Sequence, residues 1–345
     1  MEKPIKSYSL SGLQDLAKEL KVPPFRAQQL SEWVYQQGVL SYNDMTNLPK
    51  VLRDRLSEDY PLHSPSIIDS QVSSDGTQKF ILRYHDGACV ETVSIPSGDT
   101  RLTVCCSSQV GCGMACAFCA TGKEGFGRNL TIGEIVDQII VVQEKANRRV
   151  SNVVVMGQGE PFLNYDNTLE ALRILNHPRL FNIGARHITL STCGIIPGIE
   201  KLSQESEQFT LAVSLHTAVQ QTRDIIMPGV SKYTLKRLKT ALMSYIKTTN
   251  RRVTLEYALI RNTNDQNEDM DALIEFCRDL LCHVNLIPLN KVSDSLFQPS
   301  SIKTMNSWLS TLNNAGIEAT IRNSRGSDIA GACGQLKNAL KNKSC

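Results

Sequence analysis

The chain has no unbroken apolar run of eighteen residues, so no helix in it is expected to cross a membrane. Its first residues, Met1-Glu2-Lys3-Pro4, are polar and lack the apolar stretch of a secretory signal. A reducing, cytoplasmic setting is therefore expected. The eleven cysteines, an odd number, do not read there as a disulfide framework. A second C-x2-C or H-x3-H pair is also missing, and a closed structural zinc site usually needs two such pairs. Charge of one sign is not in excess. A net charge of +3 neither demands nor excludes a nucleic-acid partner, since a local basic patch matters more than the total. Hydrophobic content of 41% and charged content of 21% are those of an ordinary globular chain, and 345 residues suit one large domain with a small one beside it.

What is present divides into stretches of different period. Residues 1–62 read as a small helical accessory module. Leu10, Leu13, Leu16, Ala17 and Leu20 recur at helical spacing, and Pro23-Pro24 break the run. Ala27, Leu30, Trp33 and Val34 repeat the pattern over 26–37 until Gly38, and 48–56 gives a third short helix. Residues 63–97 turn to β character as a hairpin linker. Runs at 79–84 and 89–95 flank His85-Asp86-Gly87, a hairpin signal, and Asp75-Gly76 marks an earlier turn. Glu91 alternates with Val90 and Thr92 and, from the residues alone, reads as a solvated face position.

From residue 98 to 322 short strands alternate with longer helices. Strands are expected at 103–106, 153–156, 187–191, 209–214, 252–259, 283–287 and 318–321. Helices open at the capping box Thr131-Ile132-Gly133-Glu134 and near 165, 197, 235, 269 and 304. The alternation predicts an α/β fold with a parallel sheet, either doubly wound or a full or partial barrel. Polar residues and glycines follow the strands, at 157–160, Ser191-Thr192, Ser214-Leu215-His216 and Asn290, where α/β folds bind ligands. The C-terminal segment, 323–345, follows Arg322 and carries Arg325, Lys337, Lys341 and Lys343 against Asp328. It holds Cys333 between small residues, and alone Cys333 reads as an ordinary surface or packed cysteine.

The stretch Cys112-Gly113-Met114-Ala115-Cys116-Ala117-Phe118-Cys119 sets three cysteines at C-x3-C-x2-C in a glycine-rich loop. Thiolates are soft ligands that suit iron–sulfur clusters or zinc. With Cys105 as a fourth ligand, zinc stays open. Three thiolates can instead hold three irons of a [4Fe–4S] cluster and leave one iron free. That spacing resembles radical S-adenosylmethionine enzymes, in which the open iron binds S-adenosylmethionine and an electron cleaves it to a 5′-deoxyadenosyl radical.

Several further segments, in order along nearly the whole chain, resemble the RlmN/Cfr family of radical S-adenosylmethionine RNA methyltransferases. They are Phe25-Arg26-Ala27-Gln28-Gln29-Leu30, Asp44-Met45-Thr46-Asn47-Leu48-Pro49-Lys50, Cys106-Ser107-Ser108-Gln109-Val110-Gly111-Cys112, Phe126-Gly127-Arg128-Asn129-Leu130, Gly159-Glu160-Pro161, Ser214-Leu215-His216, Asn285-Leu286-Ile287-Pro288 and the stretch from Asp328 to Leu336. The ending Ala332-Cys333-Gly334-Gln335-Leu336 is specific to this family. The resemblance implies a partial (β/α)6 barrel. It assigns the cluster to Cys112, Cys116 and Cys119, and S-adenosylmethionine to Gly159, Glu160, Ser191, Ser214, Leu215, His216 and Asn290. It further implies that Cys333 accepts a methyl group from one S-adenosylmethionine, that a second yields the radical, and that Cys105 releases product by forming a disulfide with Cys333. Glu91 matches the family's proton acceptor. Implied partners are 23S rRNA, tRNA beside the anticodon, and a flavodoxin-type reductant. A monomer is the default.

Glu160-Pro161 has the form of the branch that methylates adenine C2, against C8 in the other. Gln158 departs from the family's usual methionine, and Cys106 beside Cys105 gives two candidate resolving thiols. Cys89, Cys193, Cys277, Cys282 and Cys345, and His63, His85, His177, His187 and His283, read as packing residues. Two rivals stand: a radical enzyme acting on a small molecule or peptide, and a non-enzymatic zinc RNA-binding module.

Overall fold

Apolar residues at helical spacing form three N-terminal helices in the computed structural model, which describes residues 3–292 and 295–337. Lys341, Lys343 and Cys345 lie outside the described residues. Helix α1 (Leu10–Glu19) is capped by Ser9, whose Oγ accepts the Gly12 N–H at 3.0 Å, and buries Leu13, Leu16 and Ala17. Helix α2 (Phe25–Ser31) runs into a π-helical turn, Glu32–Gln36, so the helix expected over 26–37 has a wider last part. That turn aims the buried Tyr35 hydroxyl at the carbonyls of Lys6 and Tyr8, at 3.2 and 2.9 Å. Helix α3 (Lys50–Asp59) completes the module.

Lys6 ties the module to the rest of the chain. Its Nζ lies 2.7 Å from Asp137 of helix α4 (Ile132–Ala146), with both side chains buried. The expected capping box of α4 is formed by Thr131 and Glu134. A Cβ on Gly133 would stand 2.3 Å from Lys6 Cβ, so glycine is what lets the two segments meet.

Strands β1 (Ser66–Val72), β2 (Gln78–Arg83), β3 (Cys89–Ser97) and β4 (Arg101–Cys105) pair antiparallel in sequence. The hairpin residues thus extend the main sheet rather than stand apart from it. β5 (Gln109–Cys112) and β6 (Gly125–Asn129) form a separate hairpin around the cysteine loop, which periodicity did not reveal. The main sheet continues in parallel from β4 through β7 (Asn152–Val155), β8 (Ile188–Thr192), β9 (Thr210–Ser214), β10 (Val253–Leu259), β11 (Cys282–Pro288) and β12 (Ala319–Ile321). Between them run α4, α5 (Tyr165–Asn176), α6 (Ile196–Leu202), α7 (Gln220–Ile226) with α8 (Leu235–Thr249), α9 (Asn267–Cys277) and α10 (Ile302–Asn314). Six strand–helix steps and a final strand result.

The two faces of the sheet decide its shape. Val104, Val153, Leu190, Leu211, Val213, Leu255 and Leu286 are buried in the apolar core. The intervening Thr103, Thr189, Thr210, Thr254, Glu256 and Asn285 instead line one cavity. A doubly wound sheet would be apolar and helix-covered on both faces. Here helices cover one face only, and the other curls around a polar lumen as a partial barrel. β1 and β12 are its unpaired edges. The C-terminal segment crosses the open side. Asp75 in the β1–β2 turn accepts the Gly326 N–H at 3.0 Å, Asp328 accepts from Ser73 Oγ at 2.6 Å, and Leu336 packs on Val93 and Cys105. No helix among the described residues is long and apolar enough to cross a membrane.

Candidate active site

Cys112 ends β5, and Cys116 and Cys119 follow in the loop before the Thr121–Lys123 turn. The loop is held from outside. Ala117 N–H donates to Ile226 C=O at 2.9 Å, and Gly229 N–H to Met114 C=O at 3.1 Å. A Cβ on Gly122 would stand 2.9 Å from backbone atoms of Cys116, so the turn needs glycine. All three cysteines line a single cavity at the C-terminal ends of the strands. Burial pushes the Cys112 thiol up to about 12 and raises that of Cys119 as well. The positive charge of a metal is what deprotonates such coordinating thiols.

The spacing discriminates between the two metal readings. A single zinc with Zn–S bonds of about 2.3 Å would bring sulfurs to about 3.8 Å from one another. Among the described residues the three thiols do not gather within 4.8 Å of each other. Three soft donors spread around a cavity fit a multi-iron cluster better than one ion. The residues present fit a [4Fe–4S] cluster with one open corner.

Gly159 and Glu160 follow β7 on the same cavity. Gly159 has φ +102°, and a Cβ there would lie 2.6 Å from Gln109 Cβ, so only glycine fits. Glu160 is buried. Its carboxylate accepts the N–H groups of Phe162 at 3.0 Å and Cys193 at 2.7 Å, and burial raises its pKa despite these bonds. Ser191, Ser214, His216 and Asn290 line the cavity too. His216 Nδ1 accepts the Ala258 N–H at 3.0 Å; burial, then Arg223, push this imidazole down to about 3, so it is neutral. Leu215 differs from the rest of the set. Its side chain is fully buried in the apolar core, and its N–H donates to Glu256 C=O at 3.0 Å.

The C-terminal segment brings Cys333 to this place. Asn290 Nδ2 donates to Cys333 C=O at 3.1 Å, Ala120 N–H to Gly334 C=O at 2.8 Å, and Thr121 Oγ1 to Leu336 C=O at 2.6 Å. Cys333 lines both the cavity of Cys112, Cys116 and Cys119 and the lumen, and Cys105 lines the lumen. Strand alternation separates the two neighbouring thiols. Cys105 faces the lumen with Leu336, whereas Cys106 is fully buried in the apolar core on the helix side. Burial pushes the Cys105 thiol up to about 12; nearby Arg322 opposes that rise. The Arg322 guanidinium also borders both cavities and sits 3.9 Å from Glu256.

Glu91 corrects the reading from alternation. It is not a solvated face residue but 0% exposed. The face it occupies is covered by the C-terminal segment, something local periodicity cannot register. Its Oε2 accepts the Lys337 N–H at 2.8 Å, and its Oε1 lies 3.1 Å from Lys79 Nζ. Burial raises its pKa, with Lys79 pulling the other way. Glu91 borders neither cavity. Gln158, the departure from the family pattern, is also fully buried, and its side-chain carbonyl accepts the Glu91 N–H at 2.9 Å.

The residue patterns had passed over Cys193, Arg223 and Arg322 as site neighbours. For Cys193 a signal existed, its position just past a strand end. For Arg223, on an unrecognised short helix, there was none.

Residues 106–277 match the Radical SAM superfamily, and residues 5–61 match the Ribosomal RNA large subunit methyltransferase N-terminal domain. A "Probable dual-specificity RNA methyltransferase RlmN" of Clostridium novyi (strain NT) is 42% identical over 342 residues, covering 99% of each chain. Its counterpart in Clostridium tetani (strain Massachusetts / E88) is 44% identical over 338 residues, 96% of each. A crystal structure of a radical SAM methyltransferase from Sphaerobacter thermophilus superposes with a TM-score of 0.91 at 42% identity, over 97% of this chain and 99% of that one. With both of its parts matched and its whole length shared at this identity, the chain belongs to the RlmN family of radical SAM methyltransferases.

Proposed function

We propose that this chain methylates C2 of adenosine in RNA, in 23S rRNA and in tRNA beside the anticodon, by way of an S-methyl group on Cys333. The observation that carries the reading is the shared cavity: Cys333 stands on the same surface as the three cluster cysteines, and the lumen beneath it also reaches Cys105. The dual-specificity RNA methyltransferases that align over the full length support RNA as the substrate class.

In this reading Cys112, Cys116 and Cys119 would hold the cluster, which when bound would supply the electron for reductive cleavage of S-adenosylmethionine. Glu160, with Ser191, Ser214, His216 and Asn290, positions S-adenosylmethionine; a buried carboxylate suits the ammonium of its methionine part. Cys333 as thiolate attacks the methyl carbon of one S-adenosylmethionine, forming a C–S bond as the sulfonium bond breaks and S-adenosylhomocysteine leaves. Arg322 favours the anionic form of Cys105 and lies in electrostatic contact with Cys333. Hydrogen abstraction from that methyl group lets its carbon add to the adenine ring, which is too weak a nucleophile at C2 for direct transfer. Glu91 accepts the C2 proton, and the unpaired electron left on the adduct would pass to the oxidised cluster, leaving a closed-shell thioether between Cys333 and the adenine carbon. Because its carboxylate is bonded to the Lys337 N–H, the C-terminal segment shifts for that step. Cys105 then attacks the sulfur of Cys333, the C–S bond breaks with its electron pair going to the released carbon, which takes up a proton to become the methyl group, and a disulfide remains for a cellular reductant. A flavodoxin-type electron donor, a monomeric state and a cytoplasmic location complete the proposal.

The test is methylation of ribosomal RNA fragments and tRNA by reconstituted enzyme, with products digested to nucleosides and weighed by mass spectrometry. 2-Methyladenosine is expected, and Cys333→Ala abolishes it. Only 8-methyladenosine would overturn the C2 assignment; activity retained in Cys333→Ala would overturn the S-methylcysteine route and favour a radical enzyme of another kind.

A further inference from the structure

Arg223 on α7 is fully buried, yet it has little to bond with. Its Nη2 donates to Cys193 C=O at 2.7 Å, while Nε and Nη1 have no hydrogen-bond partner. Among the described residues it makes no ion pair with a carboxylate. A buried cation without a counter-charge is costly and is seldom kept without one. The groups that face it are the thiols of Cys193 and Cys116, in electrostatic contact with the guanidinium, and the neutral His216 imidazole, with Asp224 of its own helix a weaker neighbour.

The surroundings fix this arrangement. The end of α7 and the turn after it are pinned to the cysteine loop by the Ala117–Ile226 and Met114–Gly229 backbone bonds. Cys193 is held on both sides, its N–H by Glu160 at 2.7 Å and its C=O by Arg223, and its thiol is in electrostatic contact with that of Cys116. Gly194, at φ +100°, leaves room for the guanidinium: a Cβ there would stand 3.1 Å from Arg223 Nη2. Arg223 is absent from the cavity lining, so it does not reach for a ligand carboxylate. It stands behind the loop.

We infer that Arg223 is the buried counter-charge of the iron–sulfur cluster, a positioning residue that raises the cluster's reduction potential through Cys116 and Cys193. Each cluster thiolate brings a negative charge, and reduction by one electron adds another. A fixed cation in a water-poor setting therefore favours the reduced form. Net charge, hydrogen bonds to the sulfurs and solvent exposure are the known determinants of cluster potential. The electron comes from the reductase-type donor named above, and no proton or bond changes at Arg223. The inference rests on the cluster reading of Cys112, Cys116 and Cys119 and is independent of the RNA target.

The test is a redox titration of the anaerobically reconstituted full chain, without S-adenosylmethionine or RNA, followed by electron paramagnetic resonance. Iron and sulfide are counted in each sample. Arg223→Met is expected to keep the cluster and shift its midpoint to more negative potential, with Arg223→Lys between it and wild type. A structural role alone would leave the potential where it is. Equal midpoints for wild type and Arg223→Met, or a positive shift, overturn the inference while leaving the proposed function standing. Wild-type protein that takes up no four-iron cluster overturns both. Should Arg223→Met purify without iron, Arg223→Gln, which keeps N–H donors but not the charge, replaces it. A midpoint for that variant equal to wild type overturns the inference.

Discussion

Glu91 illustrates how a residue acquires its chemistry from what covers it. A carboxylate in a hairpin strand is ordinarily wet and ionises like any glutamate. Covered by the C-terminal segment, Glu91 has a raised pKa, because burial disfavours the anion more than Lys79 favours it. The sign for activity follows. A proton acceptor works as the anion, so methylation should fall with decreasing pH through this raised value, above the usual carboxylate range. Lys79→Met removes the group that lowers the pKa. The acid limb of the single-turnover rate profile should then move to higher pH; an unmoved limb would remove Glu91 as the base. The same scale explains Cys105 and Cys106. They are neighbours in sequence, but opposite strand faces give one a cavity and the other a core.

At the scale of elements, the C-terminal segment is docked through a turn visible in the sequence. Asp75-Gly76 was read as a hairpin turn, and that turn is also the receptor for residues 326–328. Burial is the largest single influence on Asp75 and raises its pKa, but the bonds from Thr77, Gly326 and Ser73 together outweigh it and hold the carboxyl at about 2. A depressed folded-state pKa means stabilisation that is present above the unfolded value and lost as pH falls through about 2. At neutral pH the contact is therefore fully formed. Asp75→Asn combined with Asp328→Asn should loosen the docking. Faster amide hydrogen exchange over 326–336 and slower methyl loading of Cys333 are expected, with exchange in α4 unchanged; unaltered exchange in the segment would show that these bonds do not hold it. The short helix α7 and the hairpin β5–β6 belong to this scale too. Each is brief and rich in polar residues or glycine, so neither offered the periodicity by which α4 and α8 were legible.

At the scale of the whole molecule, the N-terminal module and the barrel meet through the buried Lys6–Asp137 pair. Burial raises the Asp137 pKa to about 6, against the pull of Lys6. In Lys6→Met that pull is gone and the folded-state value rises further. A raised folded-state pKa gives stability that is present at acidic pH and lost as pH rises through it. Lys6→Met should thus be destabilised at neutral pH, by about 3–5 kcal/mol for a broken buried pair, and much less in acid, where Asp137 is neutral. Denaturant unfolding at the two pH values checks this; an equal loss at both would mean that packing, not charge, joins the two parts.

The sequence by itself determined the order of elements, the three-cysteine loop and the family resemblance. These are local matters: period, capping and spacing are written in consecutive residues, as in Thr131–Glu134 or Cys112–Cys119. It also held the evidence for a barrel, in the alternation of Thr254 and Glu256 with Leu255 and Tyr257, since a strand buried between two helical layers has no polar face. Only the tertiary structure decided what lies across from what. It put Cys333 against a loop more than two hundred residues earlier, buried Glu91 beneath the segment that carries Cys333, and set Arg223 behind the loop of Cys112, Cys116 and Cys119. Burial and electrostatic contact depend on neighbours distant in the chain, and it is those neighbours that give a face glutamate, a packed cysteine and a helix arginine their surroundings.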